Sequence, residues 1–208
     1  MKDQTVKGWA KELASKDGKY GGGSAASVVG AYASSLAQFV FELQQGKKKY
    51  VNHEEQIQTA IEKAETFTEE LLDLAEIDAD AFEPVLDLFK LPQDTEEEKA
   101  YRQEKIDQGL ADAAKPPFDI MKKMNDVLDL FEELLELKVR GTIVDDIAVG
   151  LLFTEATVES EKINCMVNIK YIKDDTERTK LTREVNEVYE RTIKRTRILK
   201  DEAMEIIN

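Results

Sequence analysis

Apolar residues recur at three- and four-residue spacing along almost the whole of this chain, a period that fits helices and little else. The clearest run is Phe118, Met121, Met124, Leu128, Phe131 and Leu135, which lie on one stripe of a helix. Chain-breaking residues are few, with 10 glycines and 4 prolines in 208 residues, so the helices should be long. The pattern predicts a short helix near residues 3–15, a glycine break from Gly18 to Gly23, and a long helix at about 24–44 ended by Gly46. Another helix starts near residue 53 and runs through the seventies, with a continuation to Phe89 left open before Leu91-Pro92 stops it. Asp94-Thr95 followed by Glu96, Glu97 and Glu98 starts the next, which reaches about Ala113. Pro116-Pro117 opens a further helix, and Arg140-Gly141-Thr142 separates it from one at about 143–161. The stretch Ile163 to Ile172 is read as helix or irregular turn rather than strand, and the last helix starts near Asp174-Asp175-Thr176. Long helices with short breaks predict an all-α, antiparallel multi-helix bundle, with residues 1–208 forming one helical domain.

The charge balance narrows the class of function. Lys and Arg number 29 against 43 Asp and Glu, a net charge of −14, which repels phosphate backbones and anionic lipid and argues against nucleic acid or membrane partners. A lone Cys165 can form no intrachain disulfide, and with no Cys/His cluster no metal site is expected. His53, the only histidine, is read as a solvated helix-start residue. The most apolar stretch, Ser24 to Leu43, is interrupted by Ser34, Ser35, Gln38 and Glu42 and is too polar to span a bilayer. Residues 1–10 lack an apolar signal segment, so a cytoplasmic location is expected.

Five features could carry chemistry. Gly21-Gly22-Gly23-Ser24 precedes a helix, where bare backbone N–H groups can approach an anionic ligand; the alternative is a tight turn into a closely packed helix of small residues. Within Asp78-Ala79-Asp80-Ala81-Phe82 the two acids do not share a helical face. Asp78 lies in register with Phe82, Leu86 and Phe89 and should point along an apolar stripe, where a carboxylate needs a partner or a ligand; Asp80 falls on the polar side. Lys47, Lys48 and Lys49 form a basic run in a very acidic chain, either a docking patch for a carboxylate-rich small molecule or a solvated helix end. Asp145-Asp146 opens an apolar helix as caps, or sets a second carboxylate opposite Asp78. Asn164 and Asn168, four residues apart, can share a face.

In order and spacing these segments resemble the folate cyclodeaminase/cyclohydrolase family. The resemblance runs from about Gly18 to Asp175 and rests on Gly21 to Ala26, Gly46 to Tyr50, Asp78 to Phe82, Leu91 to Lys99, Pro116-Pro117, Asp145, and Asn164 with Asn168 to Asp174. It implies an all-α dimer without metal or redox cofactor, acting on a tetrahydrofolate derivative: formiminotetrahydrofolate is closed to the methenyl form with loss of ammonia, or the methenyl bridge is hydrolysed to formyltetrahydrofolate. It further implies that Asp78 shuttles the proton, with Asp145 second. Gly21, Gly22, Gly23, Ser24, Asn164 and Asn168 would line the folate site, and Lys47, Lys48 and Lys49 would hold the glutamate tail. The chain departs from the family pattern at Val144 and Ile147, where Ser and Gly are usual, at Met166, where Arg is frequent, and at Lys19-Tyr20, which replaces a proline. A family member that binds folate or another carboxylated ligand without turnover is the alternative.

Overall fold

The computed structural model describes residues 4–208. Eight α-helices follow one another among them: α1 (Val6–Leu13), α2 (Gly22–Gln44), α3 (Glu54–Ala81), α4 (Glu83–Leu88), α5 (Glu96–Ala113), α6 (Lys115–Glu136), α7 (Val144–Ile169) and α8 (Asp175–Ile207). A 3-10 turn, Lys48–His53, leads into α3. The start expected for the first helix, Asp3, lies outside the described residues.

The local signals act where the sequence put them. Thr95 caps α5 in a reciprocal box: its side chain accepts from the Glu98 N–H while the Glu98 carboxylate accepts from the Thr95 N–H. Asp174 accepts from the N–H groups of Thr176 and Glu177 at 2.8 and 3.0 Å and so starts α8. Gly46 follows α2 with φ +71°, a left-handed conformation that glycine adopts without strain. Helix α7 extends through Ile163 to Ile169, so no strand forms there.

The continuation to Phe89 that the sequence left open is not made by α3: the helix ends at Ala81, because Pro84 lacks the N–H that would continue the ladder and its ring displaces the preceding turn. The stripe assigned to Asp78 goes with it: Phe82, Leu86 and Phe89 are 43–50% exposed and form no core.

Helix α6 is the axis of the bundle and packs against α2, α3, α7 and α8. Its stripe of Met121, Met124, Leu128, Phe131 and Leu135 is buried, with Phe118 at the margin. Helices α3 and α7 run antiparallel to α2 on either side, stapled to it by buried hydroxyls. Ser27 donates to the Leu71 carbonyl at 2.6 Å, Ser34 to Ala64 at 2.9 Å, and Thr157 to Ala26 at 3.1 Å. Alpha-2 is long and apolar enough to cross a bilayer, but its inward face from Gly23 to Gln44 is embedded in this bundle. Val144 and Ile147 are fully buried in the same core, where they serve packing. A second, smaller core of Val85, Ile106, Leu110, Ala113 and Ile172 joins α4 and α5 to the end of α7.

Candidate functional site

The antiparallel pairing of α2 with α3 and α7 brings three distant segments to one end of the bundle. Helix α2 begins there with Gly22, Gly23 and Ser24, α3 ends there with Asp78, and the last turns of α7 supply Glu161, Asn164 and Asn168. The first turn of α2 has backbone N–H groups without intrahelical partners, and its dipole favours negative charge. Asp78 answers both. Its carboxylate accepts from the Ser24 hydroxyl at 3.1 Å and from the Ser24 backbone N–H. Gly23 makes that approach possible, since a Cβ at this position would lie 2.5 Å from both carboxylate oxygens.

The carboxylates flanking Asp78 are committed elsewhere. Lys19 binds Glu76 at 2.7 Å and Asp80 at 3.2 Å, and the Tyr20 hydroxyl donates to Glu76 at 2.9 Å. Asp80 is exposed, on the polar side as expected. Asp78 is half-buried; burial pushes its carboxyl above the usual carboxylate range, while the two hydrogen bonds from Ser24 oppose the shift. Burial and the Ser24 contacts thus act on this carboxyl in opposite directions, which marks Asp78 as a candidate proton-transfer group.

The sequence reading missed Glu161. It is completely buried on α7, one oxygen accepts from Asn164 at 3.2 Å, and the other has no protein partner. Burial, reinforced by the negative charge of Asp78 and opposed by the Asn164 bond, pushes its carboxyl up to about 9, so it is neutral at physiological pH. A signal for it existed. Leu151, Thr154, Val158, Glu161, Cys165 and Ile169 follow one another at three- or four-residue spacing, and all are buried. The glutamate stands in the middle of a core stripe. Burial likewise pushes the thiol of Cys165 well above its usual range, which leaves it inert.

The remaining candidates are distributed as follows. The Oδ1 of Asn164 would meet a Cβ on Gly22 at 3.6 Å, so the amide borders the glycine turn. Asn168 donates to the carbonyls of Ala113 at 3.1 Å and Asn164 at 3.3 Å, tying α7 to the α5–α6 junction. Gly21 is exposed at the head of α2. Lys47, Lys48 and Lys49 are also exposed, but they follow the far end of α2; at 1.5 Å per residue a 23-residue helix places them about 34 Å from the glycine turn. Lys49 donates to the Lys138 carbonyl at 2.8 Å and Lys47 to Gln44 at 3.1 Å. Asp145 sits at that same far end, exposed at the start of α7, about 24 Å along the helix from Glu161. Within one chain, Asp145 therefore does not oppose Asp78; its carboxylate accepts from the Asp146 N–H as a local cap. Among the described residues no group of three or more His, Cys, Asp and Glu side chains could hold a metal ion.

The fold and this end of it define a class: an all-α bundle that presents one half-buried acid at a glycine-lined helix N-terminus. Comparison with known proteins gives the family. The profile described as formiminotransferase-cyclodeaminase matches residues 5–187. A methenyltetrahydrofolate cyclohydrolase of Methylorubrum extorquens is 34% identical over 172 residues, spanning 83% of this chain and 82% of that one. The formimidoyltransferase-cyclodeaminase of Mus musculus is 28% identical over 83% of this chain, which spans 32% of that longer protein. The crystal structure of a formiminotetrahydrofolate cyclodeaminase from Thermotoga maritima superposes with a TM-score of 0.86 at 27% identity, over 100% of this chain and 99% of that one. The chain belongs to the formiminotransferase-cyclodeaminase family.

Proposed function

We propose that this protein is an enzyme of folate one-carbon metabolism that acts on the carbon carried between N5 and N10 of tetrahydrofolate. The observation that carries the reading is the Asp78 carboxyl, raised by burial and held by Ser24 at the head of α2. In the ammonia-releasing reaction N10 attacks the formimino carbon. A new C–N10 bond forms, and the N10 proton passes to Asp78 and on to the departing nitrogen. With one further proton from solution that nitrogen leaves as ammonia when its C–N bond breaks, and the cationic methenyl bridge remains. In the hydrolytic reaction Asp78 takes a proton from water as its oxygen bonds to the methenyl carbon. The proton on Asp78 then passes to one ring nitrogen as its C–N bond breaks, the new hydroxyl loses its own proton to solvent, and a formyl group results. A carboxylate beside the bridge also stabilises its positive charge. Both reactions use the folate as substrate and call on no metal or redox cofactor, and the same proposal places the protein in the cytoplasm.

A homodimer is part of this proposal. Helices α2 and α7 lie side by side and expose parallel apolar stripes, Tyr32, Phe39 and Leu43 on one, Val149, Leu152 and Ile163 on the other. A second copy is the occupant that suits them, because a two-fold, antiparallel pairing would set the Lys47–Lys49 and Asp145 end of one chain against the Gly21–Ser24 end of the other. Residues that one chain keeps about 34 Å apart could then serve one ligand. Light scattering should give twice the 23.6 kDa chain mass at micromolar concentration; a mass of 23.6 kDa would contradict the pairing.

The activity is tested by offering methenyltetrahydrofolate and formiminotetrahydrofolate separately and following the methenyl absorbance. Loss of the chromophore identifies hydrolysis and its appearance identifies ammonia release. Stoichiometric binding without either would refute turnover.

A further inference from the structure

We infer that the cavity between α5 and the C-terminal turn of α7 seats an aromatic ring bearing a negatively charged tail, which on the folate reading above is the aminobenzoyl-glutamate arm of the substrate. The cavity has a volume of about 360 Å³ and opens beside Asn168, one helical turn beyond Asn164. Its floor is apolar and firm, made by Ile106 and Leu110 of the smaller core. Phe82, Phe89 and Tyr171 stand around it, each more than 40% exposed, so aromatic surface is open to a ligand. Such rings bind planar ligands by offset or edge contacts.

Two cations complete the wall. In a chain of net charge −14, Arg102 and Lys173 both line this cavity, and among the described residues neither is within ion-pair distance of a carboxylate. Arg102 is half-buried and already oriented. One terminal nitrogen donates to the Phe89 carbonyl at 3.0 Å, and its guanidinium lies 5.9 Å from the centre of the Phe89 ring. Its Nε is buried with no hydrogen-bond partner, a donor that a ligand oxygen would satisfy. The surrounding backbone is pinned before any ligand arrives. Asp107 on α5 accepts from the N–H groups of Lys173 and Asp174, each at 2.9 Å, and Gln103 donates to the same carboxylate at 2.7 Å. A preformed apolar slot with an unpaired arginine fits a ring with a carboxylate tail, and disfavours a cation or a bare apolar molecule.

The placement suits the substrate. The aminobenzoyl ring is bonded directly to N10, one of the two reacting nitrogens, so it must leave the Asp78 site at once. Asn164 borders Gly22 at the reaction end, and Asn168, about 6 Å further along the helix, borders the cavity. That step is about the length of the ring. Lys47–Lys49 of the same chain are too distant to do this.

The test uses p-aminobenzoylglutamate, which lacks both pterin and one-carbon unit, titrated calorimetrically into the full chain. Wild type should bind it, Arg102→Gln should weaken binding about 10- to 100-fold, and Arg102→Lys should restore part of the loss. Lys173→Gln, at an exposed position that leaves the fold alone, should weaken binding by about threefold and less at high salt. With folate substrate, Arg102→Gln should raise KM and leave kcat unchanged. No binding by wild type, equal binding by Arg102→Gln, or a loss seen only when Lys47, Lys48 and Lys49 are replaced by Ala would overturn the assignment. Turnover of folate with no Arg102-dependent fragment binding sinks the cavity and leaves the enzyme reading intact. Arg102-dependent binding with no turnover does the reverse.

Discussion

Replacing Gly23 by Ala tests the geometry on which the chemistry depends. The added Cβ would stand 2.5 Å from each Asp78 carboxylate oxygen and 2.6 Å from the carboxyl carbon, where ordinary contact begins at 3.4 Å. The deficit is 3.4 − 2.5, or 0.9 Å, too large for small adjustments. Asp78 has a short side chain and cannot bend aside within its rotamer; it must swing away and lose the Ser24 bond of 3.1 Å. Overpacking costs about 1–3 kcal/mol, and exchanging Gly for Ala inside a helix returns about 1 kcal/mol. The net loss is at most about 2 kcal/mol, or roughly 4–8 °C in Tm for a domain of this size. Activity should fall far more, by about 10²–10⁴, because the proton carrier is displaced. Gly22→Ala is the control. Its Cβ would meet nothing nearer than the Asn164 Oδ1 at 3.6 Å, an ordinary contact, so the fold and kcat should survive. Steady-state kinetics and thermal denaturation on both variants decide the matter. Near-normal kcat in a folded Gly23→Ala protein would refute the placement of Asp78 against the head of α2 as a requirement for turnover.

Two further variants probe titration. Glu161 has its folded pKa raised from 4.5 to about 9, so its protonated form is favoured in the native state; the associated stability is complete below about pH 4.5 and is lost as pH rises towards 9. Glu161→Gln has no such loss, and its stability advantage over wild type, read from denaturation, should widen between pH 5 and pH 9, reaching on the order of a few kcal/mol; a constant difference would contradict the buried neutral carboxyl. Ser24→Ala removes a hydrogen bond that lowers the Asp78 pKa, so the acidic limb of kcat/KM should move to higher pH, whereas an unmoved limb would assign that limb to another group.

Much of the fold was legible because its signals are local. The Thr95–Glu98 box, the Pro116-Pro117 start and the Gly46 stop each act within one helical turn, and the α6 stripe needs only its own period. Pro84, which ends α3, was not read as a break, and the apolar register of Phe82, Leu86 and Phe89 was carried past it. Asp78 was singled out for a register that the structure does not keep. What actually holds it, Gly23 and Ser24, is more than 50 residues away in sequence and meets it only through the antiparallel pairing of α2 and α3. Glu161 was hidden for the opposite reason: in a chain with 43 acids one more glutamate attracts no notice, although its position in the buried α7 stripe marks it. The lysine run and Asp145 show the limit of reading motifs in order. Helices of 23 and 26 residues carry them to the other end of the bundle, and chain order says nothing about which ends meet.

The central claim, that Asp78 moves the proton in a folate one-carbon reaction, is tested most directly by comparing Asp78→Asn with Asp80→Asn in the methenyl absorbance assay. Asn keeps the shape of Asp78 and a bond to Ser24 but cannot take up a proton, so kcat should fall by about 10²–10⁴ while folate binding and Tm stay near wild type. Asp80 is exposed and paired with Lys19 at 3.2 Å, and its variant should retain nearly full activity. Full turnover by Asp78→Asn, or equal damage from both variants, would contradict the account.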